Sequence, residues 1–156
     1  MSAFKDATWD ERFREMGDTA EAKFELYATN VLKRKWTRYG LKRPEIQMYR
    51  LPAEVRYTPD YLMTNYLVEV QGLGQDQRFK LKLDKWRALH WWNGTQDQSF
   101  QGVRMYVWDS HREREAFFHL SLLDSLLSQG RGSLDIFPEG KAYFQFAADE
   151  VFLAVS

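Results

Sequence analysis

Residues 57–72, YTPDYLMTNYLVEVQG, set two acids, Asp60 and Glu69, inside an otherwise apolar, β-rich run. Thr64–Asn65 reads as a two-residue hairpin turn. With that turn Met63 pairs with Tyr66, Leu62 with Leu67 and Tyr61 with Val68, and Asp60 falls opposite Glu69. Directly opposed residues hold their Cβ atoms about 4.5–5.5 Å apart, and like charges at that spacing repel. Side chains alternate along a strand, so Glu69 and Gln71 share one face. Tyr61, Tyr66, Val68 and Val70 share the other, which suits a core. The run therefore aims two carboxylates and an amide at one point. Three readings compete: an exposed acid pair, a slipped register that separates the acids, or a divalent cation that turns repulsion into coordination. Mg²⁺ is commonly held by one or two carboxylates together with water and substrate phosphate.

The rest of the chain narrows the choice. Its 156 residues suit one domain with a real core. A hydrophobic share of 44% with 16% aromatics argues against disorder. No apolar stretch is long enough to cross a bilayer. The opening MSAFKDATWDERF is polar and mixed in charge, unlike a signal peptide, so the expected location is cytoplasmic and no membrane partner is expected. There is no cysteine, and His90, His111 and His119 show no ligand spacing. Any metal would be a hard ion on carboxylate oxygens. Formal net charge is zero, yet KRKWTRYGLKR, residues 33–43, holds Lys33, Arg34, Lys35, Arg38, Lys42 and Arg43 and no acid. That patch reads either as a solvated helix end or as a surface for DNA phosphates.

Element signals follow a consistent order. Residues 9–16 read as a short helix or an approach to one. A stronger helix is capped at Asp18, with Glu21 in capping-box position. Phe24, Tyr27 and Val31 form its core stripe, and it runs to about Arg38 and stops near Gly40. Strands are expected at 45–51, through the hairpin, and at 78–83. A helix follows from a cap at Asp84 to about Trp92. After a loop at 93–102 come strands at 103–109 and about 116–119, then a short helix from Ser121. Two closing strands, KAYFQFA and EVFLAV, complete the chain. This is a single α/β or α+β domain with a mixed sheet flanked by helices.

Pro59-Asp60, eight residues, then Glu69-Val70-Gln71 resembles the signature of the PD-(D/E)xK, restriction-endonuclease-like nucleases. GDTAEAKFE resembles the family's upstream helix, with Glu21 at its glutamate. The resemblance covers about residues 17–110 and implies an αβββαβ core, with the remainder, about 111–156, as a helix-and-hairpin extension. It implies Mg²⁺, or Mn²⁺ in its place, held by Asp60, Glu69 and the Val70 carbonyl, with Glu21 holding a second ion or orienting a water. It further implies hydrolysis of DNA phosphodiesters, in the manner of small phage-type endonucleases or Holliday junction resolvases. A phage protein would act in the host cytoplasm or associate with the virion.

The chain departs from the family at residue 71, where Gln71 replaces the lysine. FKLKLDK offers Lys80, Lys82 and Lys85 as substitutes, and Lys82, then Lys80, is the expected choice. Trp86 and Leu89 should face the core, with one of Trp91 and Trp92 partly exposed. The apolar C-terminal stretch would extend the sheet or form a homodimer interface. The alternative function is a catalytically inactive relative that binds DNA or builds the virion; a lysine amine within reach of the carboxylates discriminates the two.

Overall fold

The computed structural model describes residues 9–40, 50–95 and 101–156. Helix α1, Trp9–Tyr27, runs on into a π-helical turn, Ala28–Leu32. Ala20, Phe24 and Ala28 recur every fourth residue and are fully buried, which is the stripe that makes this helix stable against a sheet. The wider π turn shifts the phase, so Val31 is exposed and Leu32 meets the core instead. Asp18 lies inside this helix rather than capping it, because the segment from Trp9 is continuous with it. The helix also stops earlier than expected. Lys33 takes a left-handed conformation, φ 54°, with its N–H bonded to the Ala28 carbonyl. That frees Thr37–Arg38 to form strand β1.

The remaining elements are α2 (Ala53–Arg56), β2 (Tyr61–Leu62), β3 (Leu67–Leu73), β4 (Arg78–Lys82), α3 (Leu83–Thr95), β5 (Val103–Asp109), β6 (Arg114–His119), α4 (Ser121–Ser128), β7 (Ser133–Ile136), β8 (Ala142–Ala147) and α5 (Ala148–Val155). Most of the strand expected at 45–51 lies outside the described residues, and Arg50–Leu51 are not extended. Helix α3 begins one residue before Asp84, which sits in its first turn, and takes in the first residues of the expected loop; residues 96–100 lie outside the described set.

The architecture is mixed α/β. One sheet has the order β1-β2-β3-β5-β6; β3 and β5 are parallel and the other neighbours antiparallel. Strand β4 leaves this sheet and joins β8 and β7 in a second, antiparallel one. The C-terminal stretch therefore does not extend the main sheet. EVFLAV is helical, within α5; a short apolar run carries no periodicity that separates strand from helix. Ala148 opens this helix by donating its N–H to the Gln77 carbonyl.

Alternation along β3 and β5 divides the core. Val68, Val70 and Tyr106 face α1, and Phe24 lies with its ring centroid 4.7 Å from that of Tyr61. Leu67, Leu73, Met105 and Val107 face the opposite side with Leu89 of α3 and the second sheet. Trp86 also packs on that side, against Phe144, while Trp91 remains 48% exposed. Glu69 and Gln71 belong to this second face by their parity in β3. No helix among the described residues is long and apolar enough to cross a membrane.

Candidate functional site

The hairpin register matches the expectation: Tyr61 opposes Val68 and Leu62 opposes Leu67. The Met63 N–H donates to the Tyr66 carbonyl at 2.9 Å across the Thr64–Asn65 turn. Strand β2 starts at Tyr61, so Asp60 stands just outside the ladder. Its carboxylate reaches β3, where Oδ2 accepts the Val70 N–H at 2.8 Å. The Asp60 carbonyl accepts the Tyr39 N–H at 2.8 Å and the Gly40 N–H at 3.3 Å. Gly40 is required for that approach. A Cβ there would lie 2.7 Å from the carbonyl oxygens of both Thr58 and Pro59, and neither can swing away as a side chain could.

Glu69 is almost fully buried, and its partner comes from α3: Lys85 Nζ lies 2.6 Å from Glu69 Oε2. Burial, followed by the charge of Glu69, raises the Asp60 pKa well above the ordinary carboxylate range; Lys85 and the Val70 N–H oppose this without cancelling it. For Lys85, burial favours the neutral amine, but the Glu69 and Asp60 carboxylates outweigh it and raise its pKa. The amine is therefore a fixed positive charge at neutral pH rather than a base. Its nearest electrostatic neighbours also include the Tyr57 phenol.

The other candidates take distinct positions. Glu21 lies close enough to Asp60 for its charge to be felt there, but Arg38 grips it with two hydrogen bonds, 2.5 and 3.3 Å. The same guanidinium stands 3.8 Å from Asp60 Oδ1 and 4.6 Å from the Tyr61 ring centroid. Arg38 thus belongs to the site's edge and not to an open basic surface. Lys33, Arg34 and Lys35 are exposed beyond the helix end, and Lys42 and Arg43 lie outside the described residues. Gln71 donates from Nε2 to the Lys80 carbonyl at 2.9 Å, tying β3 to β4. Lys80 Nζ bonds Asp76 at 2.9 Å, and Lys82 is exposed. The amine that reaches the carboxylates is Lys85's; the alternation that put Lys80 and Lys82 on one face directs that face away from the core residues Phe79 and Leu81. His90 bridges the Trp86 carbonyl and Asp124, which anchors α4 to α3.

A cation held here would draw on Asp60, Glu69 and the Val70 carbonyl. Within a strand the N–H and C=O of one residue share an edge, and the Val70 N–H faces Asp60. Among the described residues no group of three or more His, Asp or Glu side chains is arranged to hold a metal ion. The two-carboxylate, all-oxygen set fits Mg²⁺ or Mn²⁺, which complete their shell with water and phosphate, and does not fit zinc. The raised proton affinity of Asp60 comes first from burial and second from the neighbouring Glu69 charge.

Sequence reasoning put Arg38 in the basic patch for DNA phosphates rather than beside Glu21 and Asp60, and ranked Lys85 behind its neighbours. The available signal for Lys85 was helical position: it lies in the first turn of α3, directly after the strand. No protein-family model matches the chain, and comparison with curated proteins and with solved structures returned no significant match.

Proposed function

We propose that this chain is a divalent-cation-dependent nuclease that hydrolyses DNA phosphodiesters, of the PD-(D/E)xK kind that its Pro59–Gln71 motif resembles. One observation carries the reading: the Lys85 ammonium meets the Glu69 carboxylate beside Asp60, supplying from a helix the cation that Gln71 does not. Asp60, Glu69 and the Val70 carbonyl would hold the ion, which when bound supplies polarisation of the phosphate and a more acidic water. Lys85 has three N–H donors, and one suffices for Glu69. The others oppose negative charge developing on the phosphate oxygens. Arg38 keeps Glu21 and Asp60 in place. Water adds to phosphorus, the bond to one ester oxygen breaks, and that oxygen leaves as a hydroxyl while the other end keeps a phosphate monoester.

The setting favoured by the resemblance is a small phage-type endonuclease or junction resolvase in the host cytoplasm. Cutting both strands would take two sites, which a homodimer would supply. A strict monomer by sedimentation at working concentration would remove that element. The direct test incubates labelled linear, nicked and four-way DNA with and without Mg²⁺ or Mn²⁺. Cation-dependent cutting that disappears in Asp60→Asn and Glu69→Gln is expected. Full cutting by both variants would overturn the assignment. The second reading, a silent DNA-binding or virion component, draws support from Gln71 being committed to β4 and Glu69 already being neutralised by Lys85. It predicts DNA binding without cutting under every cation.

A further inference from the structure

Where β4 runs into α3 lies a recess of about 250 Å³ lined by Arg56, Tyr57, Lys82, Asp84 and Lys141, among others. Pairing of β4 with β8 creates it. Lys82 opposes Tyr143, so Lys141, two residues before Tyr143, falls on the same face as Lys82 and diagonal to it. Arg56 closes another side from the end of α2, with its guanidinium 5.0 Å from the Tyr57 ring centroid. On a chain with formal net charge zero, three cations meet here against one acid, Asp84. Several cations elsewhere are matched: Lys80 with Asp76, Lys85 with Glu69, Arg38 with Glu21 and Arg114 with Asp109. Arg56, Lys82 and Lys141 form no ion pair among the described residues, and the Arg56 Nε is buried with no hydrogen-bond partner. A buried donor left without an acceptor is unfavourable, so an anion that satisfies it is favoured. The volume lies below the usual range for drug-sized ligands, about 300–1,000 Å³, and suits a single small anion.

The recess adjoins the proposed site through two residues. Asp84 immediately precedes Lys85, and Tyr57, which lines the recess, lies in the electrostatic neighbourhood of the Lys85 amine. We infer that Arg56, Lys82 and Lys141 grip a backbone phosphate of the nucleic-acid strand whose neighbouring phosphodiester lies at Asp60 and Glu69. The identity of the strand rests on the nuclease reading; the anion site does not. Contacts to phosphate alone carry no base information, so this grip positions the strand without reading its sequence.

The test measures fluorescence anisotropy of a labelled DNA duplex in chelator, where no cutting occurs, across a salt series. Lys82 and Lys141 are exposed, so the double variant Lys82→Ala/Lys141→Ala should keep the wild-type melt. It is expected to weaken binding roughly tenfold and to reduce the slope of log affinity against log salt by about 1. Asp84→Asn removes the one opposing charge and should tighten binding. Unchanged slope in the double variant, or no duplex binding by the wild type, overturns the inference. So does inorganic phosphate binding that depends on Lys82 and Lys141 while duplex binding does not, since the recess would then hold a free anion. A protein that never cuts DNA yet shows the expected losses retains this grip and fails only as a nuclease.

Discussion

The Lys85 ammonium stands 2.6 Å from Glu69 Oε2, and this buried contact joins the first turn of α3 to the middle of β3. Lys85→Ala would leave Glu69 buried beside Asp60 without its countercharge. Removing one member of a buried pair costs about 3 kcal/mol, because the other charge stays desolvated. The variant should lose that much in urea unfolding, and DNA cutting should fall on the order of 10²-fold. Lys80→Ala breaks only a surface contact with Asp76 and should stay within about 0.5 kcal/mol of wild type. Equal unfolding midpoints for the two variants would contradict the placement of Lys85.

Asp60→Asn keeps an oxygen to accept the Val70 N–H and removes a charge that burial and Glu69 both disfavour. Without divalent cations the variant should be more stable by about 1 kcal/mol, or ~3 °C in melting temperature for a chain of this size. Millimolar Mg²⁺ should raise the melting temperature of the wild type and leave the variant unmoved, since only the wild type gains from binding. A wild-type melt indifferent to Mg²⁺ would count against the cation site.

Asp109 has no exposed surface and accepts hydrogen bonds from Gln77 Nε2 at 3.0 Å, Arg114 Nε at 2.9 Å and the His111 N–H at 3.1 Å. Burial alone would raise its pKa, but bonds from Gln77 and Arg114 and the Arg112 N–H lower it on balance. The unfolded chain then binds the proton more readily. The stabilisation is therefore complete above the ordinary aspartate range, about pH 4, and is lost as pH falls through the depressed folded value. Asp109→Asn should cost roughly 2 kcal/mol at neutral pH and flatten the acid side of the stability profile. Urea midpoints from about pH 2 to pH 7 report both effects; parallel profiles would refute them.

Gly40→Ala places a methyl group 2.7 Å from two backbone oxygens, those of Thr58 and Pro59. The backbone leading into Asp60 must shift, at a cost of about 1–3 kcal/mol. The informative readout is the thermal shift produced by Mg²⁺, which should shrink because Asp60 moves with Pro59. A lowered melting temperature with an intact Mg²⁺ shift would show that the glycine serves packing alone.

Period-two alternation around the Thr64–Asn65 turn determined the hairpin. Once Tyr61, Tyr66, Val68 and Val70 are required in a core, only one register buries them, and Asp60 and Glu69 are brought to the same end. The same local logic marked β5, where an alternating run carries its own signature. What only the tertiary structure decided involves residues far apart in the chain or elements without periodicity. The π turn that moved Val31 out of the core leaves no mark in composition. The EVFLAV segment lies in a helix that starts where Ala148 donates to the Gln77 carbonyl at the end of β8. The choice of Lys85 over Lys80 and Lys82 depended on where α3 docks against β3. Arg38 met Glu21 and Asp60 only once β1 paired with β2. Local pattern sets which side chains share a face of one element; which faces meet is settled by how burial is shared among all elements at once.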